Sequence, residues 1–253
     1  MNIIRWLIFV AVFLLPWNQA LAEPPLRIAT EGAYPPFNNI DKDGRLVGFD
    51  IDITEALCKA MGREYTLRAV PWKDILTGLI NDEYDVIIAS MARTPEREKL
   101  VRFTQYYFRS RTMFVGSPSK TFIQTPEGLA GMRLAAQQGT VQEAYLHENF
   151  GHTATIVPTK TNEHSFALLK SGDVDAVLSV SLSIYGFLQT ETGKHFDFVG
   201  SPLPASDPSS EACIAVRKGN KKLADQLNKA IRDIRLSGVY DKINYKYFPF
   251  SIY

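Results

Sequence analysis

From Leu26 onward, the sequence alternates short β-branched or apolar runs with longer stretches whose apolar residues recur at helical spacing. This alternation is typical of βαβ units, in which helices cover a mostly parallel sheet. Strands are predicted at residues 26–30, 65–70, 86–90, 132–137, 155–157, 176–178 and 213–216. Helices are predicted at residues 50–61, 72–81, 142–149, 162–171 and 221–237. The fold class is therefore expected to be α/β throughout.

The alternation pauses twice, at residues 116–131 and 196–210, and prolines punctuate both pauses. Two pauses that bracket one α/β unit suggest a second lobe, inserted into the first and joined to it by two crossings. We therefore expect residues 23–110 to begin lobe 1, residues 111–200 to form lobe 2, and residues 201–253 to return to lobe 1.

Residues 1–22 have the pattern of a secretory signal peptide rather than of a folded element. A short start with one positive charge, Arg5, precedes an apolar run, and Ala20 and Ala22 are small residues where a signal peptidase cleaves. The apolar run is short for a membrane span, and no cysteine follows the cleavage site to take a lipid. We expect a chain exported to the periplasm, cleaved before Glu23 and not anchored.

Charge and cysteine content narrow the possible partners. Of 28 Lys and Arg residues only Arg5 precedes Glu23, and all 27 Asp and Glu residues follow residue 22, so the mature chain carries 27 charges of each sign. This balance gives no support to nucleic acid or an anionic membrane as a partner. Cys58 and Cys213 could form a disulfide in an oxidising compartment or remain two buried thiols, and the sequence leaves both open.

No common catalytic or metal-binding motif occurs in the sequence. The four histidines lack the HxxxH or CxxC spacing of metal sites, and GxSxG, P-loop and GxGxxG patterns are absent. These absences favour a binding function over catalysis, and neither a cofactor nor a metal is expected.

The run from Asp85 to Arg97 is the most informative local pattern. An apolar strand is followed by Ser90, Met91 and Ala92, and Arg97 comes shortly after them. A guanidinium presents a planar fork of donors that matches a carboxylate, and the hydroxyl and amides near Ser90 could complete such a site. The alternative is a strand end followed by a solvated arginine.

Three further clusters follow predicted strands, where ligands bind in open α/β sheets. They contain an acid with nearby aromatics, an indole, and a strand–glycine–helix junction, whose residues are Glu31, Tyr34, Trp72, Gln137, Gly139, Thr140 and Val141. The junction would offer the unpaired amides of a helix N-terminus to an anion. Each cluster alone could equally be a turn, a core aromatic or an ordinary helix start.

Together these residues resemble the periplasmic polar amino-acid binding proteins of ABC importers, closest to the lysine/arginine/ornithine, histidine and octopine/nopaline binding group. The resemblance covers nearly all of the mature chain and includes the motifs IATEGAYPPF (28–37), LVGFDID (46–52), residues 85–97, FTQYY (103–107), Gly139-Thr140 and the region 238–248. It implies two α/β lobes that close over a small molecule about residues 108–112 and 197–204. It also implies a monomer that delivers its ligand to a membrane permease and an ATPase.

The resemblance also implies ligand-binding roles. Arg97 would hold the α-carboxylate, helped by Ser90 and by amides at Ala92 and at Thr140 or Val141. The remaining implied positions are Glu31 for a cationic side chain, Tyr34 and Trp72 as aromatic walls, and Met91, Gln137 and Val180 within the same ligand-binding set. A cationic amino acid or an arginine-derived, opine-like compound is the implied ligand.

Three positions depart from the family pattern. Ala92 and Val141 replace hydroxyl residues, and Val180 replaces the aspartate that holds the ligand's α-ammonium in amino-acid binders. The octopine/nopaline subgroup lacks that aspartate too, because its ligands carry a secondary amine in place of the free α-ammonium.

Two other functions compete with solute binding. Cyclohexadienyl dehydratases resemble the same family and need a general acid in the cleft, for which Glu31 and Glu143 are candidates. A sensor domain of a membrane receptor is disfavoured because no apolar span follows in the sequence.

Overall fold

The computed structural model describes residues 23–204 and 210–253, so the predicted leader, residues 1–22, lies outside the described residues. The strands are β1 (Leu26–Thr30), β2 (Ala33–Tyr34), β3 (Asn38–Ile40), β4 (Leu46–Val47), β5 (Tyr65–Ala69), β6 (Val86–Ala92), β7 (Val101–Arg109), β8 (Thr112–Gly116), β9 (Arg133–Gln137), β10 (Thr155–Thr159), β11 (Ala176–Val180), β12 (Asp197–Val199) and β13 (Glu211–Arg217). The helices are α1 (Phe49–Met61), α2 (Trp72–Ile80), α3 (Pro95–Leu100), α4 (Val141–Phe150), α5 (Asn162–Ser171), α6 (Ser181–Leu188), α7 (Lys221–Leu236) and α8 (Val239–Tyr247).

Two five-stranded sheets organise these elements, with the orders β5-β1-β6-β13-β7 and β10-β9-β11-β8-β12. We call the first sheet with α1–α3, α7, α8 and the small sheet β2-β3-β4 the first lobe, and the second sheet with α4–α6 the second lobe. The two-lobed α/β architecture expected from the sequence is confirmed. The lobe boundaries at residues 110 and 200 remain predictions.

Each five-stranded sheet contains two parallel and two antiparallel pairs of neighbouring strands. In the first lobe β1 runs parallel to β5 and β6, whereas β13 is antiparallel to β6 and β7. The second lobe repeats this arrangement, with β9 parallel to β10 and β11, and β8 antiparallel to β11 and β12. Four of the five strands in each sheet therefore run in one direction, as the mostly parallel sheets predicted from the sequence require. Only β13 and β8, the strands that follow the crossings, run against them.

Burial on both faces explains why the strands read as continuous apolar runs. Along β6, Val86 and Ile88 join the core on the side of α1 and α7, while Ile87 and Ala89 join the core on the side of α2. The carboxyl end of β6 is therefore fixed from both sides, and the residues after it have a defined position.

Cys58 and Cys213 are both buried, and neither forms a disulfide within the described residues. Of the two possibilities left open by the sequence, the structure has two thiols. No helix in the described part of the chain is long and apolar enough to cross a membrane.

Candidate functional site

A cavity lies between the lobes, at the carboxyl ends of strands from both sheets. Its lining consists of Glu31, Tyr34, Trp72, Ala89, Ser90, Ala92, Arg97, Gln137, Thr140, Val141, Gln142, Asn162, Leu178, Ser179 and Val180. Every position implied as ligand-binding except Met91 is among them. The Met91 side chain is 1% exposed and packs in the core with Ile75 and Leu79, because successive side chains of β6 point to opposite faces.

Arg97 lies in the first turn of α3, where Thr94 caps the helix by accepting a hydrogen bond from the Arg97 amide. Its guanidinium donates from Nη1 to the carbonyl of Ala92 at 2.9 Å and from Nη2 to the carbonyl of Gly139 at 3.2 Å. Burial lowers the pKa of Arg97 to about 10. No carboxylate of the described residues lies within 4.0 Å of the guanidinium. A partly desolvated cation without a protein counter-charge is suited to bind an anion.

Trp72 brings the two lobes together beside this arginine. The Arg97 guanidinium carbon lies 5.3 Å from the centroid of the Trp72 ring, and Trp72 Nε1 donates to the carbonyl of Gly139 at 3.2 Å. The half-buried indole thus combines a cation–π contact with a hydrogen bond from the first lobe to the second. This supports its predicted role as an aromatic wall.

Glu31 directly follows β1 and is 7% exposed. Its Oε1 accepts a hydrogen bond of 2.5 Å from Nε2 of Gln137, at the end of β9 in the second lobe. Burial raises the pKa of Glu31 to about 7; the hydrogen bond from Gln137 opposes the rise, and the carboxylate of Glu163 adds to it. No Lys, Arg or His among the described residues forms an ion pair with Glu31, so this buried acid also lacks a counter-charge.

Ser90 is the half-buried fifth residue of β6 and lies in the left-handed backbone region, with φ 52°. Its amide donates to the Tyr107 hydroxyl at 2.9 Å, and its hydroxyl donates to Oδ2 of Asp50 at 2.9 Å. Both donors of Ser90 are thus hydrogen-bonded within the protein. The role in binding a carboxylate that was expected for Ser90 remains a prediction.

Asp50, in the first turn of α1, organises the groups behind Ser90. Besides the Ser90 hydroxyl, it accepts hydrogen bonds from the Tyr107 hydroxyl at 2.6 Å and from Nδ2 of Asn38 at 2.7 Å. Burial raises the pKa of Asp50 to about 6 against these three hydrogen bonds. Asp50 does not line the cavity, and we interpret it as a positioning residue that fixes the Ser90 hydroxyl.

The junction after β9 begins α4 as predicted. The Thr140 hydroxyl donates to the carbonyl of Gln137 at 2.6 Å and accepts the amide of Glu143 at 3.2 Å, so it caps the helix. The hydroxyl is therefore committed to the protein, whereas the amides of the first helical turn, beginning at Val141, have no acceptor inside the helix.

Asn162 and Ser179 line the cavity and were missed by the sequence analysis. The Ser179 hydroxyl donates to Oδ1 of Asn162 at 2.8 Å, and Nδ2 of Asn162 donates to the Ser183 hydroxyl at 2.7 Å. The Ser183 hydroxyl in turn donates across the lobes to the carbonyl of Pro35 at 3.0 Å. Asn162 follows β10 closely, so the same strand-end rule that selected the other residues could have identified it.

Val180 is the last residue of β11 and precedes α6. Burial raises the pKa of the nearby Tyr34 hydroxyl, and the Ser179 hydroxyl and Val180 amide oppose this rise. The side chain at the end of this strand is apolar and half-buried.

Comparison with known proteins identifies the same architecture elsewhere. The sequence model of the bacterial extracellular solute-binding proteins, family 3, matches residues 26–250. The chain is 33% identical over 235 residues to the L-arginine-binding protein of Pseudomonas aeruginosa, which covers 92% of this chain and 91% of that protein. It is 30% identical over 231 residues to the lysine/arginine/ornithine-binding periplasmic protein of Escherichia coli, covering 90% and 89%. The solved structure of an ancestral arginine-binding protein bound to arginine superposes with a TM-score of 0.81 at 31% identity, covering 88% of this chain and 98% of that chain.

Proposed function

Since this chain belongs to family 3 of the bacterial extracellular solute-binding proteins, we propose that it captures a cationic amino acid, or an arginine-derived opine-like compound, between its lobes. One observation carries this proposal: the same cavity is lined by a half-buried cation, Arg97, and a buried acid, Glu31, and neither forms an ion pair within the described residues. A ligand with a carboxylate at one end and a cation at the other would supply both.

The two ends of the cavity would hold the ligand in a defined direction. A carboxylate on Arg97 would accept the donors that remain after the bonds to the carbonyls of Ala92 and Gly139. The aliphatic part of the ligand would lie against the rings of Tyr34 and Trp72, and a guanidinium or ammonium would replace part of the hydrogen bonding around Glu31.

The names of the relatives support this ligand class, since those reported above are arginine- or lysine/arginine/ornithine-binding proteins. We further propose that residues 1–22 direct export to the periplasm, that the mature chain is a monomer, and that it delivers its ligand to the permease and ATPase of an ABC importer. Closure about residues 108–112 and 197–204 would trap the ligand.

A thermal-shift screen of the purified protein, followed by calorimetry, tests the proposal. Arginine, lysine, ornithine, histidine and octopine are compared with glutamate and aspartate, which lack a cationic tail. At least one compound of the first set should raise the melting temperature and bind in the calorimeter, and the two acids should do neither. Preferential binding of the acids, or no binding of any cationic compound, would contradict the proposed ligand class.

An enzyme on the same fold is the second candidate, and the environment of Glu31 is the observation that favours it. A buried carboxyl with a pKa of about 7 is suited to general acid catalysis. A cation-binding role explains the same carboxyl without catalysis, so we place the dehydratase second. Turnover of prephenate or arogenate by the purified protein, lost in Glu31→Gln, would reverse this order.

A further inference from the structure

The charges that line the cavity do not match those of a free cationic amino acid. Among the described residues of the lining, Arg97 is the only cation and Glu31 the only carboxylate. Arginine and lysine carry one carboxylate and two cations at neutral pH, the α-ammonium and the side-chain group. With the carboxylate on Arg97 and the tail on Glu31, the α-ammonium has no counter-charge.

The described part of the lining at the end of β11 carries no charge. Val180 is apolar, and Ser179 beside it donates to Asn162, which donates to Ser183. The Ser183 hydroxyl completes this series of hydrogen bonds by donating to the carbonyl of Pro35. These polar side chains are neutral and form their hydrogen bonds with each other and, through Ser183, across the lobes. They provide no charge for an ammonium.

Asp50 does not fill this role. Its two oxygens accept from Asn38, Ser90 and Tyr107, and it stands behind Ser90, outside the lining. Because the Ser90 hydroxyl donates to Asp50, only its oxygen lone pairs remain for a ligand. A hydroxyl oxygen can accept one N–H, but it does not neutralise a buried charge.

We propose that the ligand is a carboxylic acid with one distal guanidinium or ammonium group and no charge at its α-carbon, either because the α-nitrogen is absent or because it is acylated. This inference rests on the proposed function and specifies its ligand. A compound of this kind carries one charge of each sign, as the lining does. An opine such as octopine matches less well, because its second carboxylate has no second cation in the described lining.

Calorimetry on the unmodified protein tests this with matched ligands: arginine, desamino-arginine, Nα-acetylarginine, octopine and glutamine. Desamino-arginine, Nα-acetylarginine or both should bind at least about tenfold more tightly than arginine, and the better of the two identifies whether the α-nitrogen is absent or acylated. Arginine binding as tightly as both analogues, or tighter, would overturn the inference and leave the proposed function standing. Octopine binding tightest would overturn it as well.

Two other outcomes are also decisive. In glutamine the ammonium and the carboxylate are both attached to the α-carbon. Preferential binding of glutamine would mean that the cavity does not bind the two ends of an extended ligand, and the inference would fall. If none of the five compounds binds, the inference falls, and binding of lysine, ornithine or histidine then decides separately whether the proposed function stands.

A pair of variants at Val180 provides an independent test. Val180→Asp should invert the preference, so that arginine binds more tightly than desamino-arginine, whereas the neutral control Val180→Asn should retain the preference for the analogue. Circular dichroism first establishes that both variants are folded. If Val180→Asp and Val180→Asn change the ratio of the two dissociation constants equally, the α-carbon of the ligand does not lie near Val180, and the inference is wrong.

Discussion

The strands β6 and β11 begin alike and end differently, although they occupy equivalent places in the two lobes. Asp85, just before β6, accepts the amide of Arg27 on the neighbouring strand at 3.0 Å and also its Nε. Asp175, just before β11, accepts the amide of Arg133 at 3.0 Å and its Nε in the same way. The two lobes therefore share one device that ties the start of a central strand to its parallel neighbour.

Five residues after each aspartate the resemblance ends. Ser90 has φ 52° and is bonded to Asp50, whereas Val180 has φ −69° and leads into α6. Among the described residues of the cavity lining, the two charged ones, Glu31 and Arg97, come from the first lobe, and the second lobe contributes neutral groups. We infer that the aspartates at the strand starts stabilise the fold and that the residues at the strand ends determine which ligand binds. The charges of the ligand are then recognised by the first lobe.

The largest effect on ligand binding is expected from Arg97→Ala. Removing the half-buried cation leaves the ligand's carboxylate without a partner inside the closed cavity, which costs about 3 kcal/mol or more and weakens binding at least roughly 100-fold. The melting temperature without ligand should barely change, because Arg97 forms no ion pair in the described residues. Calorimetry with a ligand from the screen measures the loss.

Arg93→Ala is the matched control for this variant. Arg93 lies four residues earlier, is exposed and pairs with Glu211 at 3.0 Å, outside the cavity lining. Its removal should change affinity less than about threefold, as expected for an exposed ion pair. Binding by Arg97→Ala within tenfold of the unmodified protein would show that the carboxylate is held elsewhere.

The pH dependence of binding should be governed by Glu31. A cationic tail binds the ionised carboxylate, so affinity should rise as pH increases towards the pKa of about 7 and level off above it. Glu31→Gln should bind cationic ligands more weakly, and this dependence on pH should disappear. Dissociation constants measured between pH 5 and 8 test this, and an unchanged slope in the variant would assign the titration to another group.

Glu31→Gln should also stabilise the protein without ligand. The folded-state pKa of Glu31 lies above its ordinary value of 4.5, so the folded state binds more protons and loses stability as pH rises from 4.5 to about 7. The variant should match the unmodified protein near pH 4 and exceed its unfolding free energy near pH 8 by up to about 3 kcal/mol. Urea unfolding at the two pH values measures the difference, and a destabilised variant at high pH would contradict it.

A smaller effect, on stability alone, is expected at the two strand starts. Although burial opposes it, hydrogen bonding from Arg27 and Arg217 holds the pKa of Asp85 at about 2, and Arg133 with Lys120 lowers the pKa of Asp175 likewise. Asp85→Asn and Asp175→Asn should each cost roughly 1 to 2 kcal/mol, because solvent screens the partly exposed arginines.

The sign of the pH dependence follows from the lowered pKa values. These contributions are complete above the unfolded-state pKa of 3.8 and are lost as pH falls towards 2. Urea unfolding at pH 7 and pH 3 should show a smaller difference from the unmodified protein at pH 3. A large loss of unfolding free energy in one variant and none in the other would show that the two strand starts are not equivalent.

The regular elements could be predicted because burial on both faces leaves a continuous apolar run for each central strand. The predicted ends differ from the structure by a few residues at most, as in β6, which extends to Ala92. Elements without such a signal were missed. β2 and β4 have two residues each and exist only through pairing with β3, while α6 is apolar over most of its turns and carries no polar face.

The site could be predicted where one residue type at a strand end already indicates its chemistry, as for Arg97 and Glu31. The resemblance implied Met91 as part of the ligand-binding set, but its side chain faces the core, which the folded chain alone shows. The engagement of Ser90 by Asp50 could not be foreseen, because the partner lies 40 residues away on α1. Only the folded chain shows that this hydroxyl has already used its hydrogen.

The central claim is that Arg97 and Glu31 bind opposite ends of one ligand. A cycle of four dissociation constants tests it most directly. Arginine and its neutral isostere citrulline are each measured by calorimetry near pH 8 on the unmodified protein and on Glu31→Gln. We expect arginine to bind the unmodified protein at least about tenfold more tightly than citrulline, and this advantage to vanish in Glu31→Gln, because both changes remove the same ion pair. An advantage of arginine over citrulline that is the same in both proteins would contradict the account, since the cationic tail would then be held by a group other than Glu31.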